Sequence, residues 1–372
     1  MHVSQYLLLV LVMYVATLQC FAAQAQQPIK FGMSAPFTGP AAQLGQQFSH
    51  GANLAFAAQN AQGGIAGRPI QLVTVDDGYE PVRTVENTRI FLQDPQLFAL
   101  FGYVGTPTSN AILPLLRKYR LPYLAAFTGA DILRGTADEF IFNFRASYRE
   151  EAAAQISYLV DERKLRRVAL FIQADEFGAS VAQWFSAELS KRQLKPVTVV
   201  RFQRNSMDMQ HAVLQLKAAA PDVVLTVGTY QPLATVIKLG QQQNFNPIYS
   251  VVSFTGIQQL QRALQPPYSV YASMVVPDPD DLTTKFVQAY RQALGADTAL
   301  KSDVSMEGFA AATLLVGALK SCQATLTRDC VMQQLPKQRL YDFNLKYLPA
   351  AHQASQQIFL YQITSKQLLQ IH

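Results

Sequence analysis

The amino-acid sequence predicts an α/β protein built as two lobes of similar architecture, each with a mostly parallel sheet flanked by helices. The chain has 372 residues, of which 49% are apolar and 15% charged, and this suits two globular domains with large cores. Strand-like apolar runs alternate with amphipathic helical stretches in two successive blocks. Two further helical segments and a closing apolar run follow, which favours two lobes over a single closed barrel.

The first block opens with one complete βαβ unit at residues 29–77. An apolar alternating run leads into a loop rich in proline and glycine at 36–40, and a long Ala-rich amphipathic stretch follows. A glycine pair at 63–64 ends this helix, and the apolar run 70–75 forms the second strand. Because parallel sheets bind ligands at the carboxyl ends of their strands, 36–45 is a candidate binding loop.

The remaining elements continue the same alternation. Runs rich in β-branched and aromatic residues predict strands at 97–104, 122–126, 140–145, 167–172, 197–202, 223–227, 248–252 and 357–363. Apolar positions at helical spacing predict helices at 81–92, 110–119, 150–162, 179–192, 209–219, 232–243, 283–294 and 305–320.

Composition and charge argue against nucleic acid as a partner. The formal net charge is +6, but the chain has no long block of lysine and arginine. The pair Arg166-Arg167 lies between a predicted helix and a predicted strand. We therefore interpret the positive charge as a solvated basic surface.

The N-terminal segment predicts export. Residues 6–23 are nearly all apolar and lead into Ala23-Gln24-Ala25, so 1–25 is expected to be a cleaved signal peptide and the mature protein periplasmic. The first six residues contain no lysine or arginine, so an uncleaved N-terminal anchor remains the alternative. In an oxidising compartment, Cys322 and Cys330 are expected to form a disulfide; two separate buried thiols are the other possibility.

No constellation of residues supports catalysis, a metal site or a cofactor. The chain lacks a nucleophile elbow, a Walker A loop and a dinucleotide-binding glycine motif, and its histidines are scattered. No CxxC motif or Cys/His cluster points to a metal. Asp76 and Asp77 are adjacent on a strand and would face opposite sides, so hydrogen bonding within the loop is expected rather than shared acid–base chemistry.

Three segments together resemble a known family. These are the opening βαβ unit, the pattern FxxAYRxxxG at 286–295 and EGFAAA at 307–312. They look like landmarks of the leucine/isoleucine/valine-binding proteins, the type I periplasmic solute receptors of ABC importers. The resemblance covers essentially the whole mature chain.

This resemblance implies three crossings between the lobes and places the boundaries along the chain. The N-terminal lobe is expected at 27–147 and 275–353, and the C-terminal lobe at 148–274 and 354–372. It also implies a non-enzymatic, monomeric receptor that closes on a small-molecule solute and then docks on a membrane permease. A sensory or regulatory protein of the same fold, coupled to a kinase, cyclase or transcription regulator, is the alternative.

Two loops of the first lobe carry candidate ligand-binding residues. Thr106 follows a buried strand and is predicted as the N-cap of a helix, with Pro107 at the first helical position and Thr108 beyond it. Helix N-termini favour carboxylates, although an ordinary capped helix would give the same pattern. The resemblance places Thr106 on a hydroxyl that holds the ligand's carboxylate. In the next loop it places Phe127 and Gly129 near the ligand's head group, with Thr128 as a substitute hydroxyl.

The second lobe contributes aromatic and hydroxyl candidates. The resemblance places Phe177 where an aromatic residue closes over the ligand, and it places Tyr230, preceded by Thr229, at a second aromatic position. Core packing is the alternative for both rings.

Two positions depart from the amino-acid binders of the family. Ser253 stands where they carry an acid that pairs with the ligand's ammonium, and residues 244–265 contain no acid at all. Leu44 stands where they place an aromatic residue. An unpaired ammonium in a closed cleft would be costly. Either Glu150 or Glu151 supplies the charge, or the ligand is a small carboxylate or amide with an apolar or aromatic body.

Overall fold

The computed structural model describes residues 27–135, 138–296 and 298–371, so the predicted signal peptide lies outside the described residues. The described chain forms two sheets, each the centre of one lobe. The chain passes from the first lobe to the second, returns to the first with its late helices, and ends in the second with its last two strands. Within the described part, no helix is both long enough and apolar enough to cross a membrane.

The first sheet contains five strands in the order β2-β1-β3-β4-β5, and all its neighbouring pairs are parallel. Its strands are β1 (Ile29–Ala35), β2 (Ile70–Asp76), β3 (Leu97–Phe101), β4 (Tyr123–Leu124) and β5 (Ile141–Phe142). The alternation of short apolar runs with helices allows this topology, because parallel strands need long crossover connections. Helices make these connections as far as β4, whereas a loop with a 3-10 turn, Asp131–Leu133, joins β4 to β5.

The second sheet contains seven strands in the order β12-β11-β10-β9-β8-β6-β7. Its strands are β6 (Val168–Gln173), β7 (Thr198–Phe202), β8 (Val223–Val227), β9 (Ile248–Val251), β10 (Val270–Met274), β11 (Phe359–Ile363) and β12 (Leu368–Gln370). The pairs from β7 to β10 are parallel, whereas β11 and β12 add an antiparallel edge. This mixed α/β fold confirms the predicted class.

Helices flank both sheets. Their bounds are α1 (Ala42–Asn60), α2 (Pro81–Gln93), α3 (Thr106–Tyr119), α4 (Tyr148–Ile156), α5 (Glu176–Ser190), α6 (Gln210–Ala219), α7 (Tyr230–Gln242), α8 (Ile257–Ala263), α9 (Lys285–Leu294), α10 (Asp303–Ser321) and α11 (Arg328–Gln334). A single π-helical turn, Ser157–Glu162, continues α4.

Two late helices pack on the first sheet's own helix α1. A Cβ atom at Gly51 of α1 would lie 1.7 Å from the carbonyl oxygen of Ser305, and one at Gly308 of α10 would lie 2.2 Å from the carbonyl oxygen of Phe48. Glycine therefore allows the two helix backbones to approach closely. This contact attaches the C-terminal return of the chain to the first lobe.

The structure differs from the sequence prediction at several boundaries. The strand predicted at 140–145 pairs in the sheet only through Phe142, because Asn143 and Phe144 then hydrogen-bond to the returning segment at His352 and Ser355. These two stretches meet at a parallel bridge between Asn143 and Gln353 and are thus interlobe connections rather than sheet. Sequence periodicity also missed β10, β12, α8 and α11, which are short elements defined by their tertiary contacts.

A disulfide joins Cys322, at the end of α10, to Cys330 in α11, with the two Cα atoms 6.0 Å apart. It fixes the turn between these helices on the first lobe.

Candidate functional site

The carboxyl ends of strands from both sheets face one another, and four aromatic side chains meet there. Tyr79 follows β2 and Phe127 follows β4, whereas Phe177 and Phe254 follow β6 and β9 of the other sheet. Phe254 lies centrally, with its ring centroid 6.0 Å from Tyr79, 5.3 Å from Phe127 and 4.5 Å from Phe177. We call these four residues the interlobe aromatic cluster; each is at most 1% exposed.

Local backbone chemistry positions Tyr79. The Asp77 carboxylate accepts hydrogen bonds from the Tyr79 amide at 2.9 Å, the Ser34 hydroxyl at 2.8 Å and the Thr84 hydroxyl at 3.0 Å. Burial raises the pKa of Asp77 to about 6, against the lowering effect of these donors. Gly105 adopts a φ of +109°, and a Cβ there would lie 2.3 Å from the Tyr79 ring. Both the positive φ and the closeness of the Tyr79 ring require glycine at position 105.

The two adjacent acids act separately, in agreement with the sequence prediction of loop hydrogen bonding. Asp76 accepts from the amides of Phe37 and Thr38, whereas Asp77 faces Ser34 and Thr84. Within the described ranges, no group of three or more His, Cys, Asp or Glu side chains is arranged to hold a metal ion.

Three hydroxyls form a polar series beside the cluster. The Thr106 and Thr128 hydroxyl oxygens lie 2.7 Å apart, and Thr128 lies 3.2 Å from the Tyr148 hydroxyl. The prediction that Thr106 is the N-cap was wrong: Gly105 caps α3, and Thr106 is its first helical residue. The glycine's left-handed backbone places the helix start one residue earlier, and this frees the Thr106 hydroxyl to face Thr128.

Thr108 does not join this series. Its hydroxyl lies 2.5 Å from the carbonyl oxygen of Val104 and 2.9 Å from that of Gly105, so it is engaged by its own turn. Gly129 instead lies against Tyr148: its carbonyl accepts from the Tyr148 amide at 2.9 Å, and a Cβ there would lie 2.6 Å from the tyrosine ring.

The other predicted residues lie where the two lobes touch. Leu44, in α1, packs against Gly256 of the second lobe, since a Cβ on that glycine would lie 2.9 Å from Leu44 Cδ2. Tyr230, the first residue of α7, also lies near Gly256 and is 6% exposed. Thr229, the N-cap of α7, makes no side-chain capping bond and is buried.

A buried arginine on the first crossing links the cluster to a group of acids. The Arg145 guanidinium carbon lies 4.4 Å from the Phe127 ring centroid, and its Nη2 donates to the Ser253 hydroxyl. Its Nε lies 3.4 Å from Glu307 Oε1. Burial raises the pKa of Glu307 to about 7, with Arg145 opposing this change.

An acid does reach Ser253, but from a different element. Glu151, in α4, accepts from the Ser253 amide at 2.7 Å, from its hydroxyl at 2.8 Å and from the Ser273 hydroxyl at 2.5 Å. Glu150 has another role: it completes a capping box with Ser147 at the start of α4.

Polar contacts also bridge the two lobes at the edge of the cluster. Arg204 of the second lobe forms ion pairs with Glu80 of the first at 3.0 Å and with Asp175 at 3.2 Å. Asn205 donates to Glu80 at 2.8 Å. On the opposite side, Asp303 accepts from the amide of Ile257 at 3.0 Å. The lobes therefore touch on both flanks of the aromatic cluster.

A family model described as periplasmic binding protein matches residues 28–367. The chain belongs to this family. The match confirms the family that the sequence resembles, and members of the family are extracytoplasmic binding proteins.

Individual relatives support the same assignment. Leu/Ile/Val-binding protein homolog 7 of Brucella abortus (strain 2308) is 25% identical over 328 residues, covering 82% of this chain and 80% of its own. The structure of a possible leucine/isoleucine/valine-binding protein from Rhodopirellula baltica SH 1 superposes with a TM-score of 0.86 at 31% identity, over 94% of this chain and 97% of that one. A substrate-binding periplasmic protein from Ralstonia solanacearum gives 0.83 at 25% identity, over 92% and 99%.

In this periplasmic binding protein, sequence reasoning missed Tyr79, Arg145 and Phe254. Tyr79 and Phe254 come directly after predicted strands, so the rule that ligands lie at strand ends could have singled them out. Arg145 ends the predicted strand 140–145 and follows β5, so the same rule could have reached it, although its burial depends on how the two lobes meet.

One surface cavity is separate from this site. It measures about 630 Å³, and its lining includes Glu139, Arg328 and His352 but none of the interlobe aromatic cluster.

Proposed function

We propose that this protein is the extracytoplasmic solute-binding component of an ABC importer. It closes on a small solute with an apolar or aromatic body and a carboxylate or amide head group, and the closed form docks on a membrane permease. The observation that carries the proposal is the interlobe aromatic cluster, to which each lobe contributes two rings. Rings presented by both lobes favour a solute that both lobes enclose.

The chemistry of the surrounding groups supports this solute class. The rings of Phe127, Phe177 and Phe254 offer apolar surface on which a flat or branched body can pack. The hydroxyls of Thr106 and Thr128 can donate to or accept from a head group once it replaces their mutual hydrogen bond.

Closure follows from contacts that only the shut form makes. The bonds from Arg204 and Asn205 to Glu80, and from Ile257 to Asp303, cross from one lobe to the other. A solute that joins the lobes adds to these contacts and shifts the population toward the shut form. We place the hinge at the crossings between the two lobes. The first lobe comprises 27–147 and 275–353, and the second comprises 148–274 and 354–372.

The names of two relatives concern the solutes that those proteins bind. The Brucella abortus relative and the Rhodopirellula baltica protein are named for leucine, isoleucine and valine binding. For this chain we expect the apolar body of such ligands but a different head-group chemistry, since Ser253 is engaged by Glu151.

The test is a thermal-shift and calorimetric screen of small apolar and aromatic acids, amides and amino acids, together with native mass spectrometry for a co-purified solute. Thr106→Val removes one hydroxyl at nearly constant volume, so we expect solute affinity to fall by roughly tenfold. The matched control is Thr88→Val: this threonine is also fully buried, but it lies in α2 and bonds to Thr84 and Tyr103.

Affinity should survive in the Thr88 variant. Equal affinity in the Thr106 variant and the wild type would contradict the proposed position of the solute. Failure of every compound in the screen, with no co-purified solute, would contradict solute binding itself.

A further inference from the structure

We propose that Arg145 is the charged partner of the solute's head group, so that the solute is an anion, a carboxylate rather than an amide or an amine. This inference rests on the proposed function and narrows it. It assigns to the first interlobe crossing, just after β5, a charged binding residue beside the aromatic and hydroxyl groups.

Arg145 is fully buried, yet two of its three guanidinium nitrogens make no hydrogen bond. Its exposed fraction is 0%, and neither Nε nor Nη1 has a hydrogen-bond partner. Only Nη2 donates, to the Ser253 hydroxyl. Arginine cannot lose its charge in a protein, so these buried donors cannot be satisfied by deprotonation. A buried donor without an acceptor is unfavourable on a charged group, and a carboxylate that accepts from Nη1 would reduce that cost.

Of the acids around Arg145, Glu151 and Asp303 make their hydrogen bonds with other groups. Glu151 is already engaged by the amide of Ser253 and the hydroxyls of Ser253 and Ser273. Glu307 lies 3.4 Å from Nε but forms no hydrogen bond with it, and burial raises the pKa of Glu307 to about 7. Asp303 accepts from the Ile257 amide of the opposite lobe. All three acids thus act on Arg145 through charge. None of them accepts a hydrogen bond from its Nε or Nη1, and a solute carboxylate would supply the missing acceptor.

The guanidinium also lies where a head group would be. It stacks on the ring of Phe127, which belongs to the interlobe aromatic cluster, and Phe127 directly precedes Thr128 of the hydroxyl series. A solute whose body packs among the rings would thus present its head group between the Arg145 fork and the threonine hydroxyls. Arginine offers two parallel N–H donors, which match a carboxylate better than an amide.

Arg134 provides a matched comparison in the same region. Its Nε donates to Gln353 at 2.9 Å, its Nη1 to the Ala130 carbonyl at 2.7 Å and its Nη2 to the Arg145 carbonyl at 3.1 Å. All three nitrogens of this guanidinium are therefore used by the protein. Arg134→Gln should lower stability without changing the preference for acids over amides.

The experiment compares isosteric solutes on the wild type, Arg145→Gln, Arg145→Lys and Arg134→Gln. The probes are benzoate, benzamide and benzylamine; phenylacetate, phenylacetamide and phenethylamine; and 4-methylpentanoate with its amide and amine. Calorimetry and thermal shift measure binding. We expect the wild type to bind the acid of at least one series tenfold or more tightly than its amide, roughly the effect of one charge-assisted hydrogen bond.

In Arg145→Gln this ratio should fall to about one, and in Arg145→Lys it should be intermediate, because the charge is kept but the fork is lost. Arg134→Gln should keep the wild-type ratio. If Arg145→Gln does not fold, the acid-to-amide affinity ratios of the wild type and Arg145→Lys are sufficient to test the role of Arg145.

Each remaining outcome rejects a defined claim. Amides or amines that bind the wild type as tightly as the acids would overturn the inference and leave the proposed function standing. An acid preference that persists unchanged in both Arg145 variants would overturn the role of Arg145. Absence of binding by every probe, with no co-purified solute, would overturn the proposed function and this inference with it.

Discussion

Replacement of Glu307 by glutamine should make the protein more stable at pH 8 than the wild type, although it removes an ion-pair partner. Glu307 lies in α10 and is 3% exposed, with Arg145 as its cationic neighbour and Asp303, Glu151 and Arg134 as the other charged groups around it. Glutamine has nearly the shape of a protonated glutamate. The substitution therefore fixes the neutral form at every pH.

The magnitude follows from the pKa of this carboxyl. Burial raises it from 4.5 to about 7, with Asp303 and Glu151 adding to the increase and Arg145 opposing it. In the unfolded chain the proton leaves near pH 4.5, whereas the folded protein keeps it until near pH 7. The folded state binds the extra proton in between, so the free energy of unfolding falls as pH rises through this window. At about 1.4 kcal/mol per pH unit, the total fall is about 3 kcal/mol.

The assay is urea unfolding of both proteins at half-unit steps from pH 5 to pH 8, and the quantity of interest is their difference in stability. The other buried acids, Asp77 and Asp303 among them, are common to both proteins and cancel in that difference to first order. We expect the variant to gain on the wild type up to about pH 7, the folded-state pKa of Glu307, and the difference to level off above it. Glu139→Gln, whose side chain is 76% exposed, is the matched control and should follow the wild type.

Parallel profiles for Glu307→Gln and the wild type would refute the reasoning. So would a variant that is less stable at pH 8, because the ion pair with Arg145 would then outweigh the cost of burying the charge.

Two further predictions concern stability on the first lobe. Gly308→Ala should destabilise the protein by about 2 kcal/mol, because its Cβ would lie 2.2 Å from the Phe48 carbonyl oxygen. This cost outweighs the higher helix propensity of alanine. Equal or higher stability of the variant in chemical denaturation would contradict the close helix contact. The double change Cys322→Ser with Cys330→Ser should lower the free energy of unfolding by about 2–3 kcal/mol, as expected for a loop this short. Solute affinity measured by calorimetry should not change. A large loss of affinity would show that the disulfide acts on the binding gap.

Local pattern was enough to locate the loops of the site. Thr106, Phe127, Phe177 and Tyr230 each follow a strand that alternation of apolar runs and helices could identify, and Phe127 and Phe177 of opposite lobes both contact Phe254. The rule works because the carboxyl ends of parallel strands share one edge of a sheet. Their contacts with a solute remain a proposal.

The polar interior of the site had no such signal. Glu151 reaches Ser253 across 102 positions of sequence, and Arg145 reaches it across 108. A search for an acid between 244 and 265 could not find Glu151, because helix α4 carries it in from the first crossing. The capping box of Glu150 is a local motif. Only the packed structure shows that Glu150 caps its own helix, whereas the adjacent Glu151 accepts from Ser253.

The sequence by itself determined the two-lobed α/β fold and the family, because hydrophobic periodicity and strand-end loops are local properties that each segment carries alone. Only the tertiary structure decided which rings meet at Phe254 and which charges surround Arg145. Burial of a charge and contact across a gap depend on how two separately folded lobes approach each other, and no single stretch of the chain encodes that distance.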